Sequence, residues 1–205
     1  MSSENFLFAL ESCAVFLAIV YLLLAVRRDI RCWIAGILSS CLYLFLMYSA
    51  NLYMESILQI FYVFMGFYGF QQWRSDNINQ KEISISTWSF KIHICIASSI
   101  AIFSYVSANL LVRYTDAALP FLDSLTTFGA LFATYMVAKK ILENWIYWFL
   151  IDATSVYLFI GRELYLTSVL FCIYLVIIIF GYRSWLKAYK TVSYTHLRAH
   201  ETADN

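Results

Sequence analysis

Seven apolar runs of about 20 residues, nearly free of charge, constrain the fold of this chain more than any other feature. Only 13% of its 205 residues are charged, whereas a soluble domain carries about 25%. So few charges leave too little polar surface to face water, which excludes a soluble enzyme, a disordered chain and a nucleic-acid-binding protein. The sequence therefore predicts an all-α, polytopic membrane protein. The seven spans are expected at about 6–26, 32–54, 56–73, 92–112, 117–138, 144–161 and 164–182.

The two ends of the chain are interpreted separately from the spans. The first run is not expected to be a signal peptide, because Glu4 and Glu11 stand where a signal peptide has basic residues. Residues 192–205 are polar, have no apolar stripe and look like read-through of cloning or sequencing-adaptor DNA. The alternative is a disordered tail. On either interpretation the transmembrane domain is predicted to cover residues 1–191.

The basic residues lie mostly on one face of the membrane. Of the 14 Lys and Arg residues, only Arg113 and Arg162 fall on the side of the N-terminus. Basic residues accumulate in cytoplasmic loops, so we expect the N-terminus outside and the C-terminus in the cytoplasm. The outer face then carries mainly acidic residues and attracts cations; exclusion of basic residues from that face explains part of the asymmetry.

The sequence matches itself without a gap when it is shifted by 112 residues. Trp33 falls on Trp145, Gly69 on Gly181, and the pair at 27–28 (Arg-Arg) on the pair at 139–140 (Lys-Lys). This register predicts two three-helix repeats, 5–74 and 117–186, joined by a linker helix at 92–112. Because the linker span restores the starting side, the two repeats are parallel. The SWEET sugar carriers share this 3+1+3 plan, in which substrate binds near the midplane between the repeats.

Asp152 is the most informative single residue. It lies midway along the sixth span, about 12 Å from the start of that span at Asn144. A carboxylate at that depth costs on the order of 2.5–3.5 kcal/mol on insertion scales, and no Lys or Arg lies within a span to pair with it. Two interpretations remain: a protonated Asp152 bonded to Ser or Thr of a neighbouring helix, or a carboxylate that binds a cationic or hydroxyl-bearing substrate.

Trp145 and Trp148 share a helix face with Asp152, since the spacing is i, i+3, i+7. The face of a Trp ring attracts a cation that lies within about 6 Å. An alternative for Trp145 is the aromatic belt at the membrane interface, where its repeat mate Trp33 would lie at the same depth. The following residues are further candidates to line a substrate path, each with a helix–helix hydrogen bond as the alternative role: Gln59, Tyr62, Thr126 and Thr127.

Metal and cofactor sites are not expected. The five cysteines form no C-x-x-C pair and no cluster with histidine. The phosphate-binding motif G-x-x-x-x-G-K-[ST] is absent, so the chain carries no ATP-driven motor of its own.

The sixth span carries a signature of a known family. Residues 143–152 read E-N-W-I-Y-W-F-L-I-D, and they resemble the W-x-x-W-x-x-x-[N/D] motif of the PnuC family of vitamin transporters. Residues 120–124 and the Lys pair at 139–140 look like that family's fifth span. In the third span, L-Q at 58–59 and Y-G-F-Q-Q-W at 68–73 are similar to the family's pattern, with Phe70 in place of Trp. The resemblance covers residues 5–190.

The resemblance implies a transporter and not an enzyme. It implies a homotrimer in the bacterial inner membrane, with a separate path in each protomer. The expected function is uptake of nicotinamide riboside by facilitated diffusion, with trapping by a cytoplasmic kinase. In the family, the signature Trp residues and the final Asn or Asp contact substrate, and here these are Trp145, Trp148 and Asp152.

Three alternatives stay open on the sequence. Members that carry nicotinamide riboside resemble the Asn form of the motif, whereas thiamine-transporting relatives often show the Asp found here. A SWEET-type sugar carrier shares the architecture, although a neutral sugar does not explain an unpaired Asp152. The third alternative is a receptor or assembly protein that transports nothing.

Overall fold

The computed structural model describes residues 3–49, 53–78, 85–114, 119–161 and 165–203. Each of the seven predicted spans corresponds to one α-helix. In chain order the helices are α1 (Ser3–Val26), α2 (Arg31–Ser49), α3 (Tyr53–Ile78), α4 (Phe90–Tyr114), α5 (Pro120–Ala138), α6 (Asn144–Gly161) and α7 (Tyr165–Ala203).

Several of these helices suit the hydrocarbon core of a membrane. Four segments are long and apolar enough to cross it: Ala9–Val26, Phe90–Tyr114, Pro120–Ala138 and Ser168–Thr191. A shorter apolar helix covers Arg31–Leu46. Large apolar side chains such as Phe64 and Phe103 are exposed along the helices, as expected where lipid rather than water surrounds the protein. The chain is therefore a multi-pass membrane protein.

Helix α7 is longer than the seventh predicted span. The prediction ends that span at about residue 182 and places 192–205 outside the domain, whereas the helix continues to Ala203. Residues 183–203 contain neither Gly nor Pro, so nothing in their backbone chemistry ends the helix. The assignment of the tail to the domain or to an artefact stays a prediction.

Two compact units make up the chain, one of residues 1–83 and one of residues 84–205. In the first unit, α2 packs against both α1 and α3. In the second unit, each helix from α4 to α7 packs against the next. The predicted linker helix α4 therefore packs on α5 and belongs to the second unit.

The turn between α1 and α2 has the same backbone geometry as the turn between α5 and α6. Arg28 has φ of 58° and Lys140 has φ of 55°, so each turn passes through the left-handed region. The residue that follows each of them donates its backbone N–H to a carbonyl five residues back, Asp29 to Leu24 at 3.0 Å and Ile141 to Met136 at 2.9 Å. Both bonds close the end of a helix as in a Schellman motif.

A pair of perpendicular Trp rings follows each of these turns. The ring centroids of Trp33 and Trp73 lie 5.6 Å apart at an interplanar angle of 87°. Those of Trp145 and Trp185 lie 5.5 Å apart at 85°. All four side chains are at most 2% exposed. These pairs hold α2 against α3 in the first unit and α6 against α7 in the second, by edge-to-face contact.

Glycine makes each of these ring contacts possible. A Cβ atom added at Gly181 would lie 2.5 Å from Cη2 and Cζ3 of Trp145. A Cβ atom added at Gly69 would overlap the indole of Trp33 in the same way. Each indole therefore lies directly on the backbone of the neighbouring helix.

The segment that leads into α4 is attached to the turn between α5 and α6. Ser86 forms a parallel β-bridge with Ile141: Ser86 donates its N–H to Lys140 at 3.1 Å, and Leu142 donates its N–H to Ser86 at 2.9 Å. The N–H of Trp88 donates to Oε2 of Glu143 at 3.4 Å. The start of α4 and the start of α6 are thereby held together within the second unit.

Candidate functional site

Helix α6 positions the predicted substrate-binding face. Asn144 begins this helix and is fully buried, and its Nδ2 donates to the carbonyl of Ile141 at 2.6 Å. This bond ties the first turn of the helix to the left-handed turn that precedes it. Trp145, Trp148 and Asp152 all lie in regular helix after that point, so they share one face as the spacing predicts.

The Asp152 side chain is buried without a polar partner in its unit. It is 4% exposed, and no described residue of the second unit forms a hydrogen bond or an ion pair with its carboxyl group. The neighbouring hydroxyl of Ser155 donates to the carbonyl of Ile151 at 2.9 Å instead. A buried polar group normally has a partner because an unpaired one costs free energy. Asp152 is therefore available to bind a group that enters from outside this unit's own side chains.

The two Trp residues of the motif have different environments. Trp145 is 2% exposed and packs edge-on against Trp185, whereas Trp148 is only partly buried. The Nε1 atom of Trp145 is buried and has no hydrogen-bond partner among the described residues, which also holds for its mate Trp33. Trp145 thus has a packing role between α6 and α7, and Trp148 has the more accessible ring.

The two threonines of α5 make local hydrogen bonds. Thr126 donates to the carbonyls of Leu122 at 3.1 Å and Asp123 at 2.9 Å. Thr127 donates to the carbonyl of Asp123 at 2.9 Å. Both hydroxyl protons are used within the helix, so only the lone pairs of each oxygen remain for another group.

Gln59 and Tyr62 lie in α3, in the first unit. Both side chains are partly buried, and their spacing of three residues places them on neighbouring positions of one helix face. The remaining five predicted site residues all lie in the second unit.

A second surface lies on the opposite side of α6. A groove of about 530 Å³ is formed by α4, α5 and α6. Its α6 residues lie on a face rotated by about 160° from that of Trp145, Trp148 and Asp152, at about 100° per residue. Thr126 lines this groove, whereas Thr127 does not.

Sequence reasoning missed the polar residues of this groove, His93, Glu143 and Tyr147. His93 was set aside as a residue at a helix end. The available signal was position: His93 begins the fourth span and Glu143 precedes the sixth, so both lie at the same membrane face. Among the described residues, no group of three or more His, Cys, Asp and Glu side chains lies close enough together to hold a metal ion.

Comparison with known proteins places this helical fold in a family. The profile of the family described as nicotinamide mononucleotide transporter matches residues 9–187. The nicotinamide riboside transporter PnuC of Neisseria mucosa is 23% identical over 198 residues, which cover 88% of this chain and 73% of that protein. The PnuC of Escherichia coli, with the same name, is 22% identical over 207 residues, covering 87% of this chain and 85% of that protein.

A solved structure shares the fold. The crystal structure of the vitamin B3 transporter PnuC aligns with a TM-score of 0.70 and 22% identity, and the alignment covers 89% of this chain and 82% of that one. The family profile spans most of the chain, including all of α2 to α6. The chain therefore belongs to the nicotinamide mononucleotide transporter family, the family of the PnuC transporters.

Proposed function

We propose that this protein imports nicotinamide riboside across the bacterial inner membrane by facilitated diffusion, and that a cytoplasmic kinase traps the substrate by phosphorylation. The single observation that carries the proposal is the buried Asp152 carboxyl group, which has no partner in its unit, on the same face as the accessible ring of Trp148. Nicotinamide riboside has an aromatic cation for the ring and the carboxylate, and hydroxyl groups for hydrogen bonds. The names of the relatives from Neisseria mucosa and Escherichia coli support this substrate.

A uniport mechanism suits a cationic substrate. A monovalent cation gains about 2.3 kcal/mol per 100 mV when it moves to the negative side of the membrane. That free energy corresponds to nearly 50-fold accumulation, at about 1.4 kcal/mol per tenfold. The proposal therefore includes no coupled ion and no ATP hydrolysis.

The proposed architecture is the parallel 3+1+3 arrangement, with the substrate between the repeats. The matching turns at Arg28 and Lys140 and the matching Trp pairs on Gly69 and Gly181 support two copies of one structural unit, since each feature recurs at the same offset of 112 residues. We further propose an external N-terminus, a cytoplasmic C-terminus and a homotrimer.

Thiamine is the second candidate substrate. The observation that favours it is the identity of residue 152, an Asp in the motif position where the nicotinamide riboside form resembles Asn. Thiamine also has an aromatic cation, so it fits the same Trp ring and adds a reason for a full negative charge.

Uptake into liposomes tests the proposal directly. Purified protein should equilibrate labelled nicotinamide riboside down its gradient without a proton or sodium gradient, and an inside-negative potential should increase accumulation. Thiamine and a neutral sugar are run in parallel. Preferred uptake of thiamine would replace the substrate, and strict dependence on an ion gradient would contradict uniport. Transport of none of these compounds would favour a receptor or assembly protein.

The kinase requires a separate test in cells. Cells that express the transporter should retain labelled nicotinamide riboside only when the cytoplasmic kinase is present. Without the kinase, the label should wash out at the rate measured in liposomes. Equal retention with and without the kinase would contradict trapping while leaving the transport proposal intact.

A further inference from the structure

The groove between α4, α5 and α6 has one polar end, and the rest of it is almost entirely aliphatic. Along α4 its lining extends over residues 90–100, and along α6 over residues 146–154. The α4 portion is about 15 Å long at about 1.5 Å per residue. One leaflet of a bilayer with a hydrocarbon core of about 30 Å has the same thickness. The apolar part of the groove therefore matches the depth of one leaflet.

The polar end lies where α4 and α6 begin. His93 Nδ1 lies 3.0 Å from the hydroxyl oxygen of Tyr147, and His93 Nε2 lies 3.9 Å from Oε1 of Glu143. That separation is too long for a hydrogen bond, and Nε2 is buried without a hydrogen-bond partner among the described residues. The head of the groove thus contains polar groups that the described part of the protein does not satisfy.

Glu143 offers an acceptor to a molecule in the groove. Its Oε2 accepts the N–H of Trp88 at 3.4 Å, which holds the side chain in place. No described residue of the unit donates a hydrogen bond to Oε1, and the side chain keeps 21% of its exposure. A carboxylate oxygen accepts most strongly from a charged donor such as a primary ammonium group.

Basic side chains surround this end of the groove. Lys91 is exposed in the first turn of α4, next to Phe90 of the lining. Lys139 lies in the turn before α6, with its Nζ 5.9 Å from the centre of the Tyr135 ring. A headgroup that carries both a phosphate and an amine has complementary partners here, the lysines for the phosphate and Glu143 for the amine.

We infer that this groove binds one membrane phospholipid with a primary-amine headgroup, phosphatidylethanolamine, with an acyl chain along α4 and α6 and the ammonium group at Glu143. The site is separate from the proposed substrate face, because the two occupy opposite sides of α6. A bound lipid would contact both α4 and the helix that carries the substrate motif.

Native mass spectrometry on delipidated, detergent-purified protein tests this inference. The probes are dioleoyl phosphatidylethanolamine, phosphatidylcholine and phosphatidylglycerol, which have identical acyl chains. We expect phosphatidylethanolamine to bind about tenfold more tightly than phosphatidylcholine, since a hydrogen bond to a charged group contributes about 1.5–3 kcal/mol. Equal affinities in the wild-type protein would overturn the inference.

Two substitutions separate the headgroup from the acyl chain. Glu143→Gln keeps the shape and one acceptor for Trp88, and it should lower the affinity for phosphatidylethanolamine to that for phosphatidylcholine. Ala97→Phe fills the apolar part and should weaken all three lipids. Ala101→Phe is the matched control, because Ala101 is also exposed on α4 but lies outside the groove lining.

The remaining outcomes identify a different occupant. Unchanged lipid binding in Ala97→Phe would overturn the inference, and loss of oligomers in that variant without any change in lipid affinity would assign the groove to a second copy of the chain. Displacement of the lipid by nicotinamide riboside would make the groove part of the substrate path and would also overturn it. None of these results depends on the outcome of the transport experiment.

Discussion

Replacing Gly181 with Ala should destabilise the second unit through one specific overlap. The added Cβ would lie 2.5 Å from two ring carbons of Trp145 and 2.8 Å from a third, distances that real Cβ atoms do not tolerate. The indole cannot move aside easily, because Trp145 is 2% exposed and Trp185, against which it packs, is 0% exposed. Overpacking of this kind costs about 1–3 kcal/mol.

Part of that cost is offset by the helix itself. Ala is favoured over Gly within a helix by about 0.5–1 kcal/mol, so we expect a net loss of about 1–2 kcal/mol for Gly181→Ala. For a chain of 150–250 residues, each kcal/mol lowers the melting temperature by about 2–4 °C. The expected decrease is therefore about 2–8 °C in a thermal unfolding experiment on detergent-purified protein.

A control and a rescue make this prediction specific. In Gly129→Ala, the new Cβ would lie 3.1 Å and 3.2 Å from two atoms of the Ile151 side chain, which can rotate, so little change is expected. Trp145→Phe shortens the ring that is struck, so Gly181→Ala should cost less in that background, as a double-mutant cycle would measure. A melting temperature of Gly181→Ala equal to that of Gly129→Ala would refute the reasoning.

Three further outcomes are expected. Asp152→Ala should lose substrate affinity by about 30-fold or more, at about 2–5 kcal/mol for a buried charged contact, whereas Asp152→Asn should keep part of it and shift preference from thiamine toward nicotinamide riboside; unchanged affinity with a lower melting temperature would make Asp152 a packing residue. Trp148→Ala should weaken substrate binding more than Trp33→Ala in a calorimetric titration, and equal, small effects would contradict a substrate role for Trp148. Hydrogen bonds from Arg31 lower the pKa of Asp29 below its ordinary value, so this pair stabilises the fold above the ordinary Asp pKa and the stabilisation is lost as the pH falls through the lowered one; Asp29→Asn should remove that part of the acid dependence in a melting-temperature profile, and an unchanged profile would contradict it.

The helices were predictable because each span carries its own signal. An apolar run of sufficient length is expected to form a helix whatever its neighbours are, since the hydrocarbon core leaves no other partner for backbone N–H and C=O groups. The left-handed turns were not predicted, because Arg28 and Lys140 are residue types that rarely adopt positive φ. Their alignment at one offset was visible, and their conformation was not.

The environment of the aromatic residues depends on contacts distant in sequence. Trp145 was assigned either to the substrate or to the interfacial belt, and the structure packs it against Trp185, 40 residues later. The alignment of Gly69 with Gly181 was the available signal, because a glycine within a helix can mark a close approach by a large ring. The bridge between Ser86 and Ile141 had no such signal, since it joins two irregular segments.

The left-handed turns also bear on how the chain is inserted during synthesis. A non-glycine residue in that conformation costs roughly 1–2 kcal/mol, so glycine at positions 28 and 140 would suit the folded turn better. Glycine, however, has no charge with which to keep a loop in the cytoplasm, and a basic residue does. On the proposed orientation, Arg28 and Lys140 therefore give up some stability of the finished protein in exchange for correct topology in the ribosome-bound chain, and the two turns record a demand that ends once synthesis is complete.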